Sequence, residues 1–151
     1  MSRAGALSPE ILIVDDDEGH AILTRDNLRA AALSNPIRHF SDGQAVLDFL
    51  YAPGPAPHTA RAGAYVLLLD TRMPRVDGFE VLRRLRSGPA LPNLEVIVLT
   101  TADDAGEVER CHTLGCDVYL RKPVDYDKFA GAARRLGLFM TLLFPPPAGG
   151  G

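Results

Sequence analysis

Tryptophan is absent, cysteine occurs only twice, and no apolar run approaches the length of a membrane span. A spanning helix needs about 20 consecutive apolar residues, so no membrane partner is expected. Met1-Ser2-Arg3-Ala4-Gly5 lacks the apolar centre of a secretory signal, which makes a cytoplasmic location the expectation. Cys111 and Cys116 are too few for a disulfide framework and do not have the CxxC spacing of a metal or redox site. They read as buried or half-buried thiols. Charge of one sign is also lacking: 16 Lys and Arg against 19 Asp and Glu leave a net charge of −3, with no basic field for nucleic acid. What remains is an ordinary globular chain, 46% hydrophobic, whose 151 residues suit one domain around a single core.

The strongest feature present is Tyr65-Val66-Leu67-Leu68-Leu69-Asp70, followed by Thr71-Arg72-Met73-Pro74 and Asp77-Gly78. A short, continuous apolar run suits a strand buried on both faces of a parallel sheet. It ends on a carboxylate and then on turn chemistry; Asp77-Gly78 reads as a turn and helix start. Residues 1–9 form a lead-in, and Ile11–Val14 is a second buried strand running into Asp15-Asp16-Asp17-Glu18. Residues about 18–31 read as a helix with His20, Leu23, Asn27 and Ala31 on one face, flanked by Ile22 and Leu28. The acidic run lies at its N-terminus, where the helix dipole favours it. Asn35-Pro36 breaks the pattern, and Ile37–Phe40 is a brief strand. Ser41-Asp42-Gly43 starts a helix with Val46, Phe49 and Leu50 on one side. Residues 52–63 are a Pro/Gly-rich loop. Phe79, Leu82 and Leu85 define a third helix, and Val96–Leu99 a fourth strand ending at Thr100-Thr101. A weaker helix over about 104–114 points Val108 and Cys111 inward. Asp117–Arg121 is a fifth strand closed by Lys122-Pro123, and Phe129, Ala132, Ala133 and Leu136 recur at helical spacing. Strands alternating with helices imply an α/β fold: a doubly wound, flavodoxin-like (βα)5 three-layer sandwich with a parallel sheet in the order 2-1-3-4-5.

That order brings the ends of strands one, three, four and five to one edge, with Asp15, Asp16, Asp70, Thr100 and Lys122. Crowded carboxylates need a counter-ion, or one of them takes up a proton. Mg²⁺ suits such a site, because it prefers oxygen ligands and binds one or two carboxylates beside a phosphate. Lys122 adds a mobile positive charge and Thr100 a hydroxyl donor, which is what a transferring phosphoryl group requires. Asp70 is then the nucleophile of an aspartyl-phosphate.

These landmarks resemble the receiver domain of two-component response regulators. They are an acidic pair after strand one, Asp before x-x-Met-Pro-x-x-Asp-Gly, Thr after strand four and Lys-Pro after strand five, spread over residues about 10–136. More narrowly, Asp16-Asp17-Glu18-Gly19-His20, Asp42-Gly43-Gln44, the long Pro-rich loop and Leu99-Thr100-Thr101 resemble single-domain regulators associated with phytochrome-type histidine kinases. The resemblance implies that Asp70 takes phosphate from a histidine of a sensor histidine kinase, bacteriophytochromes included. It implies Mg²⁺ held directly by Asp16 and Asp70, by Asp15 largely through water, and by the Arg72 backbone carbonyl. Thr100 and Lys122 would hold phosphoryl oxygens, Tyr119 would swing inward behind Thr100, and Lys122-Pro123 would be cis. Arg72 departs from the Asn more usual in this subgroup, and an altered lifetime of the phosphorylated form is expected, of either sign.

Several features have plainer readings. His20 reads as a satisfied buried imidazole rather than a ligand, His39, His58 and His112 share no metal spacing, and Arg83-Arg84-Leu85-Arg86 is a solvated helix face. Leu136–Phe144 is too apolar for an exposed end and precedes Pro145-Pro146-Pro147. In the resembled regulators such an extension, here 137–151, supports a homodimer through helix four, strand five, helix five and the extension itself; folding back on its own domain is the alternative. Too little chain follows helix five for an effector domain, so protein contact or phosphate relay is the expected output. The rival functions are a Mg²⁺-dependent phosphatase with an aspartyl nucleophile, disfavoured because Asp70-Thr71-Arg72 lacks a second Asp, and a degenerate interaction module that needs no phosphate.

Overall fold

A computed structural model of the chain describes residues 9–30, 33–52, 65–89, 91, 94–100, 105–116, 118–122, 124 and 127–131. Its elements alternate as the apolar pattern requires: β1 (Glu10–Val14), α1 (Glu18–Ala30), β2 (Ile37–Phe40), α2 (Gly43–Leu50), β3 (Tyr65–Asp70), α3 (Gly78–Ser87), β4 (Leu94–Thr100), α4 (Ala105–Thr113) and β5 (Tyr119–Arg121). Residues 127–131 form a further helical segment, α5. The strands pair in parallel in the order β2-β1-β3-β4-β5.

Successive strand side chains point to opposite faces, and this divides the core in two. Leu12, Val14, Leu67, Leu69 and Val98 face α2, α3 and α4, where they meet Val46, Leu50, Phe79, Leu82 and Cys111. Ile11, Ile13, Val66, Leu68, Ile97 and Leu99 face α1 and α5, where they meet Ala21, Leu28 and Phe129. The layered α/β fold expected from the sequence is therefore the one observed. Each fully buried Leu or Ile contributes roughly 1.5–3 kcal/mol, so the continuous runs in β1 and β3 carry much of the stability. Both cysteines lie in the first cluster, Cys111 2% exposed and Cys116 3%. Burial, chiefly, pushes the Cys111 thiol up to about 11.

Side-chain caps start the helices where the sequence placed them. Asp42 accepts from the Ala45 amide at 2.8 Å and Asp77 from the Glu80 amide at 2.9 Å, satisfying donors that a helix start leaves open. Element ends move by a residue or two, as helix and strand limits do. β4 begins at Leu94 and includes Thr100, and β5 begins at Tyr119.

The expected inward face of α1 is corrected. Ala21, Thr24 and Leu28 are buried, whereas Ile22 and Leu23 are 42% and 44% exposed. Small residues at 21 and 24 let the helix lie close to the sheet, and the larger 22 and 23 then fall on its outer side. His20 is half-exposed rather than buried, and Asn27 donates to the Val124 carbonyl at 2.9 Å. Ala31, most of the 52–63 loop, Thr101, Pro123 with its peptide isomer, Ala132, Ala133 and everything after it lie outside the described residues. Among the described residues no helix is long and apolar enough to cross a membrane.

Candidate functional site at the carboxyl edge of the sheet

Three backbone registers hold the site. Asp70 closes β3 opposite Leu99 of β4. The next amide, Thr71, donates to the Leu99 carbonyl at 3.2 Å, and the Lys122 amide donates to the Thr100 carbonyl at 2.8 Å. Sheet hydrogen bonds therefore fix the spacing of Asp70, Thr100 and Lys122. Asp15 follows β1, its amide donating to the Phe40 carbonyl at 3.0 Å. His39 binds the Asp15 carbonyl at 2.8 Å, and the Asp15 carboxylate accepts from the Asp17 amide at 2.9 Å. Asp17 serves as the helix cap rather than a site ligand: its carboxylate accepts from the His20 amide at 3.1 Å, and that bond is the main cause of its lowered pKa.

The turn after Asp70 is drawn tight. The Gly78 amide donates to the Thr71 carbonyl at 3.2 Å. A Cβ on Gly78 would stand 2.2 Å from the Asp70 carbonyl oxygen and 2.9 Å from the Thr71 Cα. Only glycine lets α3 begin this close to the end of β3.

Asp15, Asp16 and Asp70 each offer an oxygen within 4.8 Å of the others; Asp15 and Asp70 are buried and Asp16 is exposed. Lys122, its side chain 6% exposed, reaches Asp15 Oδ2 at 2.8 Å and Asp70 Oδ1 at 3.4 Å, and lies 3.0 Å from His20 Nδ1. One ammonium does not balance three carboxylates. Burial first, and the Asp15 charge second, raise Asp70 to about 6 against the pull of Lys122. An all-oxygen donor set with surplus negative charge and one exposed member fits a hard divalent cation that keeps some of its water.

On the far side of Asp70 the structure supplies a residue the sequence reading missed. Glu107, in the first turn of α4, accepts from Thr100 Oγ1 at 2.8 Å and from Thr71 Oγ1 at 3.3 Å. Its other oxygen pairs with Arg72 Nε at 2.9 Å. An acid in a first helical turn is ordinary dipole chemistry, so nothing in the sequence singled it out. A cleft of 490 Å³ lined by Asp16, Arg72, Met73, Glu107 and Arg110 opens beside this group. Tyr119 is half-buried, packed against the α2–α4 side of the core. The structure thus brings together Asp15, Asp16, Asp70 and Lys122, places Thr100 and Arg72 on Glu107, and holds Tyr119 one strand away, opposite Val98.

A parallel 2-1-3-4-5 sheet that gathers carboxylates, a threonine and a lysine at its carboxyl edge defines a phosphorylation-type signalling domain. The chain belongs to the response regulator receiver domain family, which it matches over residues 11–134. It is 30% identical over 112 residues to Response regulator Rcp1 of Synechocystis sp., covering 74% of this chain and 75% of Rcp1. Among solved structures it superposes on the bacteriophytochrome response regulator AtBRR with a TM-score of 0.76 and 33% identity, covering 90% of this chain and 97% of that one. For the bacteriophytochrome response regulator RtBRR the TM-score is 0.74 and the identity 35%, over 95% and 87% of the two chains. A Mn²⁺-bound form of Rcp1 is similar at a TM-score of 0.64 and 27% identity, over 91% and 99%.

Proposed function

We propose that this chain is a phosphorylation switch, its receiver domain spanning 10–136, in which Asp70 takes a phosphoryl group from a phosphohistidine of a sensor histidine kinase. The observation that carries this is the buried Asp70 carboxylate with two further carboxylates within 4.8 Å and Lys122 at 3.4 Å. In the transfer an Asp70 oxygen forms the new P–O bond as the P–N bond to the donor imidazole breaks, and the electron pair stays on that nitrogen. Asp15, Asp16, Asp70 and the Arg72 carbonyl would hold Mg²⁺, which offsets the negative charge gathered around the phosphoryl oxygens. Lys122 pairs with one phosphoryl oxygen and the Thr100 hydroxyl donates to another. The added group brings roughly −1.5 to −2 charges. Its grip on Thr100 and Lys122 biases the packing of α4 and β5, with Tyr119 as the reporting ring.

Intact mass after incubation with a small-molecule phosphodonor tests the switch. A phosphate adduct is expected with Mg²⁺, absent without it and absent in Asp70→Asn. Folded protein with no adduct would favour a phosphate-independent interaction module, and rapid donor turnover without adduct a phosphatase.

The likeness to AtBRR and RtBRR supports a kinase of the phytochrome type as the donor. The apolar segment 136–144 supports a homodimer built from α4, β5, α5 and the 137–151 extension. Light scattering should then give a dimer for the full chain and half that mass for a chain truncated at 137; an unchanged mass removes the extension from the interface.

A further inference from the structure

Thr100 at the end of β4 and Arg72 in the turn after Asp70 are both engaged by one carboxylate, that of Glu107. A hydroxyl has a single proton, and a carboxylate can only accept. While Thr100 donates to Glu107 at 2.8 Å, that proton is not available to a phosphoryl oxygen. The same carboxylate takes the Thr71 hydroxyl at 3.3 Å and the Arg72 guanidinium at 2.9 Å. Its side chain is only 12% exposed, so water competes weakly for these bonds. The Glu107 carboxylate thus holds with its anionic oxygens the partners that the oxygens of a phosphoryl group on Asp70 would seek: a hydroxyl donor from β4 and a guanidinium from the turn after β3.

We propose that the Glu107 carboxylate is an internal stand-in for the phosphoryl group, a latch that holds α4 to Thr100 and Arg72 until phosphorylation displaces it. This rests on Asp70 being the phosphoacceptor. Glu107 is a positioning residue: its partners are Thr71, Arg72 and Thr100, and it acts by occupying donors that the phosphoryl group needs. Two anions then compete for one set of donors. Glu107 sits on α4, so losing the competition frees the first turn of that helix from both the β3 and β4 ends. The threshold for switching is set by how well Glu107 competes, and Arg72, exposed over 64% of its side chain, is the part of the latch within reach of solvent and partners.

Beryllofluoride with Mg²⁺, which mimics a phosphoryl group on a carboxylate, probes the competition directly. Its affinity would be measured by calorimetry for wild type, Glu107→Ala, Thr100→Ala and the double variant, with Glu107→Gln as the volume-conserving control. The latch predicts that Glu107→Ala binds tighter by about tenfold, the scale of one hydrogen bond to a charged group, with Glu107→Gln shifted the same way. It also predicts that Thr100→Ala loses more affinity when Glu107 is already absent, because only then is the hydroxyl donated without giving up another bond. A residue that merely anchored α4 would leave affinity unchanged or weakened on removal, and charge repulsion alone would make the two substitutions additive. Either result overturns the latch while leaving the switch in place. Failure of wild type and every variant to bind the probe would overturn the phosphoacceptor reading, and the latch with it.

Discussion

Gly78→Ala is expected to destabilise the fold by about 3–4 kcal/mol, at the upper end of what overpacking does. The added methyl meets backbone rather than a side chain that can rotate away: 2.2 Å to the Asp70 carbonyl oxygen, 2.9 Å to its carbon and 2.9 Å to the Thr71 Cα. Relief requires α3 to withdraw from the end of β3. That strains the Gly78 amide bond to the Thr71 carbonyl and lifts Phe79, 4% exposed, out of the core. The same withdrawal disturbs the turn that carries the Arg72 carbonyl of the proposed Mg²⁺ site, so metal affinity should fall with stability. Gly19→Ala is the matched control. There the new methyl would lie 3.3 Å from the Asp17 carboxylate, a contact that a shift of a few tenths of an ångström relieves with the α1 cap kept, and alanine is the better helix former by up to about 1 kcal/mol. Urea unfolding of both variants measures the contrast. Equal midpoints would mean that α3 tolerates displacement and that the tight turn is not a structural requirement.

The second large effect concerns Asp70 itself. Its pKa in the fold, about 6 against an ordinary 3.8, means that the folded chain keeps a proton the unfolded chain has released. Stability from this group is therefore fully present below about pH 4 and is lost as pH rises to about 6. At pH 7 without metal the buried, ionised carboxylate opposes folding by about 2–3 kcal/mol. Asp70→Asn, neutral and of the same shape, should make the metal-free protein more stable at pH 7 by about that amount and leave it nearly unchanged at pH 4. Comparing the two proteins in urea with a chelator, from pH 4 to 8, cancels the titration of groups remote from Asp70 and isolates Asp70 with its neighbours Asp15 and Lys122. Millimolar Mg²⁺ should then stabilise wild type by mass action and leave the Asn variant almost unaffected. A difference between the proteins that does not vary with pH would show that Asp70 is not held in an unfavourable charged state.

These effects trace back unevenly to the sequence. Strands β1, β3 and β4 are legible because buried parallel strands are written as short continuous apolar runs, each followed by a residue too polar to continue it: Val14 before Asp15, Leu69 before Asp70, Leu99 before Thr100. The parallel order then leaves those ends side by side, so Asp15, Asp16, Asp70, Thr100 and Lys122 read as a group from the strand order alone. Asp42 and Asp77 were legible as caps because the geometry of a helix start asks for them. The face of α1 was not. Its inner side is Ala21, Thr24 and Leu28, and closeness of approach, which alanine and threonine permit, outweighed apolar size, which Ile22 and Leu23 offered. Glu107 was illegible for a different reason. Its role depends on which way α4 lies across the ends of β3 and β4, a tertiary fact that leaves no local trace.

The two thiols beneath α4 give the molecule a recorder of its own movements. Alkylating reagents attack the thiolate, and with Cys111 2% exposed and its pKa pushed to about 11 the closed molecule presents almost none. Reaction has to wait for α4 to lift, so the labelling rate counts openings on one side of the sheet. The opposite side, packed under α1 and α5, has no cysteine among the described residues of its core, and movements there leave no such mark. A chain with only two cysteines, both on the α2–α4 side, thus distinguishes chemically which layer of its sandwich has loosened.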